Sequence, residues 1–158
     1  MPTKNLFRLL LAAACLCLVV GCANPPVYQT VRGSLVPEPG KGLVLIYYRS
    51  GVANGAFKWH LYAKQCLTTR LKHGSFYAYQ ADPGPVRFMT SQNPTFVDFV
   101  PWPNKQAAVE QKPITIHRHQ TYYVDFNGGD LKLVSADIAD RDMEGCEWIN
   151  PPGEPGHP

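Results

Sequence analysis

Hydrophobic positions along this chain fall into short runs of strand length, separated by glycine- and proline-bearing breaks. Leu43 to Tyr48 is a continuous apolar run, long enough for a buried strand and too short for a helix. Lys58 to Ala63 alternates, with Trp59, Leu61 and Ala63 on one side. Thr68 to Leu71 is a short strand candidate, and His73-Gly74 is a turn signal. Ser75 to Ala81 is rich in Tyr and Phe, which suit a pleated, half-buried surface. In Asp82-Pro83-Gly84 the proline presets φ and the glycine supplies positive φ, as a type II turn requires. Val86 to Thr90 then places Val86 and Phe88 on one face, and Ile114 to His117 is a further short strand. The clearest hairpin runs from Thr121 to Ser135. Tyr122, Val124 and Phe126 share a face, Asn127-Gly128-Gly129-Asp130 turns the chain, and Leu131 and Leu133 share a face on the return. Asp137 to Glu144 reads as a short helix, with Asp137 as N-cap and Asp140 in the first turn. The expected class is all-β: an antiparallel β-sandwich of about seven short strands with one short C-terminal helix.

The first residues follow a different pattern. Lys4 and Arg8 precede an apolar run from Leu9 to Val20, with no acidic residue. This is the layout of an export signal, and the run falls short of the roughly 20 apolar residues a bilayer span needs. The run ends in Val19-Val20-Gly21-Cys22, which resembles the bacterial lipobox. That resemblance implies a diacylglyceryl group on the Cys22 sulfur, cleavage before Cys22 and acylation of the new amino terminus. Several acyl chains anchor stably where a single one binds reversibly. Ala23 stands where many lipoproteins retained at the inner membrane carry Asp. The resemblance therefore implies a lipid-anchored envelope protein in the outer membrane, facing the periplasm. The expected organisation is a signal peptide over residues 1–21, a lipidated flexible tether over 22–42, the sandwich over 43–149 and a disordered tail over 150–158. The tether and tail follow from breakers without periodicity, such as Pro37-Glu38-Pro39-Gly40 and Pro151-Pro152-Gly153.

Removing the signal changes the charge and cysteine counts. The mature chain keeps 13 of the 15 basic residues against 12 acidic ones, so the net charge of +3 falls to +1 and gives no footprint for nucleic acid. Cys15 and Cys17 leave with the signal and Cys22 is committed to lipid. Cys66 and Cys146 remain, a pair suited to a disulfide in an oxidising compartment. Such a bridge would close a loop of roughly 80 residues, worth about 4–5 kcal/mol in the chain-entropy model. Two buried free thiols are the alternative.

From Gly42 to Ile149 the chain resembles a family of small bacterial domains of unknown function, found mostly in short lipoproteins. The matching pieces are Leu43-Val44-Leu45-Ile46-Tyr47-Tyr48-Arg49, the stretches around Leu61-Tyr62 and Gly74-Ser75-Phe76-Tyr77, the Pro83-Gly84 turn, and Ile114 to Val124 ahead of the last hairpin. The family looks like the sandwich of carboxypeptidase-regulatory and transthyretin-like domains. Gln120 departs from the glycine usual at its position, and the loop from Asn93 to Glu110 is longer than usual. The resemblance implies a fold and brings no catalytic residues.

The chain has no nucleophile elbow, zinc-protease motif, phosphate loop or calcium loop. His117-Arg118-His119 offers two imidazoles without a third ligand at any metal spacing, and reads as a polar turn. Asp137, Asp140, Asp142 and Glu144 fit no calcium loop, with Arg141 among them, and read as a solvated helix face. The proline-bearing loop from Asn93 to Pro103 holds Phe96, Phe99 and Trp102, which form a candidate binding loop or additional core. No catalytic residue, metal or cofactor is expected. The expected function is a non-enzymatic envelope lipoprotein that contacts an envelope protein or has a structural role at the membrane. A glycan- or peptidoglycan-binding module, with Trp59, Tyr79 and Trp102 stacking on sugar rings, is the alternative, and an enzyme is a weaker third.

Overall fold

The computed structural model describes residues 24–49, 58–64, 66–93 and 109–149. The segments expected to be a signal peptide and a disordered tail, Cys22, and the stretch carrying Phe96, Phe99 and Trp102 lie outside the described residues. The chain is mostly β. Eleven strands are described: β1 (Gly42–Tyr48), β2 (Lys58–Ala63), β3 (Cys66–Leu71), β4 (Ser75–Ala81), β5 (Gly84–Val86), β6 (Phe88–Asn93), β7 (Val109–Glu110), β8 (Ile114–Ile116), β9 (Thr121–Asn127), β10 (Asp130–Val134) and β11 (Glu147–Trp148). Two short helices, α1 (Tyr28–Val31) and α2 (Ala136–Asp142), and a 3-10 turn (Arg32–Ser34) complete them.

The strands form a five-stranded sheet in the order β10-β9-β1-β4-β11, a four-stranded sheet in the order β3-β2-β6-β7, and the pair β5-β8. Every residue of β1 is buried. Its even-numbered side chains Val44, Ile46 and Tyr48 join a cluster with Leu61, Leu71, Phe88, Val124 and Phe126, which draws on both larger sheets. Its odd-numbered side chains Leu43, Leu45 and Tyr47 join a second cluster with Tyr28, Phe76, Ala139, Met143 and Cys146. The apolar run is continuous because both faces of this strand are covered, by strands on one side and by helices on the other.

The expected strand faces hold. Trp59, Leu61 and Ala63 lie on the shared cluster, as do Tyr122, Val124 and Phe126. The hairpin pairs Asn127 with Asp130 around Gly128 and Gly129, whose φ values of 61° and 128° suit a two-residue turn. Val86 and Phe88 also share this cluster, but they belong to different sheets: β5 pairs with β8, and β6 with β2.

Other expectations need correction. The main sheet is mixed, because β1 runs parallel to β9 and β4 parallel to β11. Parallel neighbours need a long crossover, and between β1 and β9 the chain supplies one by building β2, β3 and β6 into the other sheet. Residue periodicity sets which face is buried and carries no information on partner or direction. The helix begins after Ser135, which makes no side-chain capping bond, so Asp137 lies in the first turn and is not the cap. Strands β7 and β11 are two residues each, too short for a periodic signal.

The segment expected to be a flexible tether is in large part docked, since residues 26–36 form a strap on the second cluster. Tyr28 is 3% exposed. Its N–H donates to the Cys146 carbonyl at 2.8 Å, and the Trp148 N–H donates to the Pro26 carbonyl at 2.8 Å. Its hydroxyl donates to Asp140 Oδ1 at 2.5 Å, and its ring meets Phe76 edge-on at 5.6 Å. Val31 and Leu35 pack on the same cluster. Tyr28, Val31 and Leu35 stand at helical spacing, a signal that the surrounding prolines and glycines obscure.

The covered second face alters what mutations in the β9 hairpin should do. Val124 is fully buried, so Val124→Asp places an unpaired charge in an apolar site and should cost several kcal/mol. Tyr123 packs against the second cluster, so Tyr123→Ala should also destabilise, by about 2 kcal/mol. Urea midpoints of the two variants, made from residue 24 onward, check this. The expected order is Val124→Asp below Tyr123→Ala below the unmodified domain, and a Tyr123→Ala midpoint equal to the unmodified one would show that the second face is not packed.

Candidate functional site

Strand β4 forms the edge of the main sheet for most of its length, because β11 covers only its start. The register is Glu147 opposite Ser75 and Trp148 opposite Phe76. Glu147 N–H donates to the Gly74 carbonyl and Ile149 N–H to the Phe76 carbonyl, both at 2.8 Å. Backbone groups alternate sides along a strand, so the N–H and C=O of Ala78 and Gln80 point to the same outer edge. Among the described residues, no strand pairs with this edge beyond Phe76.

The strap closes the far end of this opening. Gln80 Nε2 donates to the Val36 carbonyl at 3.1 Å, and the Glu38 N–H donates to Gln80 Oε1 at 3.0 Å. The Gln80 carboxamide thus takes the place of a backbone pair and holds the strap across the edge. Between this clasp and Trp148 lies a groove of about 350 Å³, lined by Leu35, Val36, Ala78, Tyr79 and Trp148 among others. Lys41 and Glu38, paired at 2.7 Å, also line it. Val36 is 62% exposed. Trp148 stacks on Phe76 with ring centroids 5.7 Å apart, and its Nε1 is buried without a hydrogen-bond partner among the described residues. The arrangement offers an apolar wall beside a backbone edge that no described strand pairs, which is the requirement for adding an extended segment to a sheet.

A second polar feature lies under α2. Arg49, just past β1, bridges Asp125 of β9 at 3.0 Å and Asp142 of α2 at 3.5 Å, and so ties helix to sheet. Asp125 Oδ1 and the Tyr47 hydroxyl are buried without partners among the described residues. Burial pushes the Asp125 carboxyl above its ordinary range, an effect that Arg49 opposes and Asp142 reinforces. Cys146 is a free, buried thiol here, pushed up to about 11 by burial and by Asp142. That is the reverse of the activation a cysteine nucleophile needs.

The other expected site residues fall as follows. The Cys66–Cys146 disulfide is not formed: Cys146 is free in the cluster beneath the helix, while Cys66 belongs to β3 in the other sheet. Even parity in the count of cysteines does not bring the two to the same layer. His117 and His119 are exposed around a turn after β8, and the His117 N–H donates to the Tyr122 hydroxyl at 2.8 Å. Among the described residues, no group of three or more His, Cys, Asp or Glu is placed to hold a metal ion. The acidic set is not one solvated face: Asp140 accepts from Tyr28 and Asp142 is tied to Arg49, while Asp137 and Glu144 are exposed. Trp59 and Tyr79 are half-buried against the shared core, on Phe126 and Phe88 respectively, and do not form a flat aromatic row. The groove itself is a feature sequence reasoning missed, because its walls come from three distant segments. No family model matches the chain, and neither a curated protein nor a solved structure matches it.

The raised Asp125 carboxyl has a definite linkage sign. A folded-state pKa above the unfolded value contributes stability that is fully present below the unfolded pKa, near 4, and lost as pH rises through the folded one. Asp125→Asn removes this titration, while Arg49 keeps Asp142 as a partner. The stability of the native protein relative to Asp125→Asn should therefore increase as pH falls from 7 to 4, measured by urea unfolding of both. A difference that is flat, or that shrinks toward acid, contradicts the assignment.

Proposed function

We propose that this chain is a non-enzymatic, lipid-anchored protein of the bacterial envelope whose β-domain binds an extended segment of an envelope protein along the open edge of β4. The lipid sits on Cys22 and places the domain at the outer membrane, facing the periplasm. The lipobox pattern at Val19 to Cys22 supports the anchor. The two larger sheets share one apolar cluster, which supports reading them as a β-sandwich with a helical layer added on the outer face of the five-stranded sheet. Among the described residues no helix is long and apolar enough to cross a membrane.

The observation that carries the binding reading is the incomplete cover on β4. Exposed sheet edges are a liability that folded proteins cover, shorten or charge. Here, among the described residues, β11 and the Gln80 clasp cover both ends and leave Ala78 open between them, beside an apolar groove. Two backbone hydrogen bonds and the burial of one or two apolar side chains fit a weak, reversible contact.

The test uses the full chain in its native host. Cys22→Ser should abolish incorporation of a palmitate analogue, since only a thiol at that position accepts the diacylglyceryl group. A photo-crosslinking residue at Val36 should give a discrete adduct with an envelope protein. Ala78→Pro removes the outward N–H at an edge position, where proline is tolerated, and should lose that adduct while the domain stays folded. Equal labelling of the Cys22→Ser protein contradicts the anchor, and an adduct unaffected by Ala78→Pro contradicts the edge.

A further inference from the structure

We infer that the docked strap fixes which side of the domain faces the membrane and holds the groove close to the bilayer. This inference rests on the lipid anchor at Cys22 proposed above. From Cys22 to Tyr28 is six residues, at most about 20 Å fully extended. A chain free as far as Gly42 would instead span up to about 70 Å. A domain of this size has a radius of gyration near 13 Å, hence a diameter of roughly 30–35 Å. With the strap docked, the free linker is shorter than the domain is wide, and the domain cannot tumble clear of the bilayer.

The anchor-proximal end of the strap, Pro26 and Val27, pairs with Trp148 and Glu147 of β11 at the edge of the five-stranded sheet, and Tyr28 then docks on the α2 side, opposite the four-stranded sheet. The β11 edge and the α2 side therefore face the lipid and the four-stranded sheet faces away. The helical turns from Tyr28 to Ser34 add only about 10–14 Å to the path. The lip of the groove, Leu35 and Val36, thus lies within about 40 Å of the anchor point. Released from its dock, the same strap would lengthen the reach more than threefold by the contour estimate. The bonds that hold it are few: Tyr28 to Cys146 and Asp140, Pro26 to Trp148, and the Gln80 clasp.

The experiment uses full-length protein processed in cells and reconstituted into phosphatidylcholine vesicles that carry an acceptor-labelled lipid. A donor dye is placed at Ser34→Cys or at Arg70→Cys, in a Cys66→Ser background. Ser34 is exposed on the strap and Arg70 is exposed on the far sheet. Energy transfer from position 34 should exceed that from position 70 by about twofold or more. Tyr28→Ala, which frees the strap, should lower transfer from position 34. A spacer of about twelve Gly/Ser residues between Ala23 and Asn24, which leaves the folded domain untouched, should lower it as well. Equal transfer from the two positions, or transfer from position 34 that the spacer does not change, overturns the strap's role. A processed protein that fails to float with the vesicles overturns the anchor itself, which separates the two readings.

Discussion

The structure depends on one strand being dry on both faces. From Gly42 to Tyr48 every residue of β1 is buried, and alternate side chains feed two separate clusters. Burying a large apolar side chain is worth about 1.5–3 kcal/mol, so six of them contribute on the order of 10 kcal/mol as an upper bound. That is comparable to the net stability of a whole domain, about 5–15 kcal/mol. A strand so placed requires a layer on each side. The four-stranded sheet supplies one. The other must come from elsewhere in the chain, and α2 and the strap supply it.

The need for this second cover explains features that otherwise look unrelated. Tyr28 is drawn onto the sheet, where its ring covers Phe76. Arg49 reaches from the end of β1 to hold α2 through Asp142 and β9 through Asp125, at the cost of a partly desolvated carboxylate. Replacing either carboxylate leaves a charge short of its partner, which is why the linkage between Asp125 and pH reports on this layer. The strap that completes the cover then passes along the β4 edge and forms one wall of the groove. A covering layer and a candidate binding wall are thus the same segment of chain.

Much of the fold was legible in the sequence where alternation was clean. Trp59, Leu61 and Ala63, and Tyr122, Val124 and Phe126, face the core as their spacing implies. The Gly128-Gly129 turn sits where its residues demand it, and the Thr90 hydroxyl and Gln111 Nε2 both donate to the Gly129 carbonyl at 2.7 Å. The parallel pairing of β1 with β9 was not legible, because a period of two marks a face and never a neighbour. The strap was hidden by its own prolines: three apolar residues at helical spacing cannot outweigh breakers on either side. The groove was out of reach, since Leu35, Ala78 and Trp148 become neighbours only through the order of strands.

Native-state hydrogen exchange tests the central claim most directly. Amides in a strand covered on both faces should exchange only when the whole domain unfolds, whereas those of an edge strand open locally. The expected result is that Val44 to Tyr47 show the slowest exchange in the protein, at the free energy of global unfolding. The amides of β10, an edge strand with Leu133 half exposed, should exchange faster. If the β1 amides exchange as quickly as those of β10, then β1 is not sealed between two layers, and the strap and helix do not form the second cover.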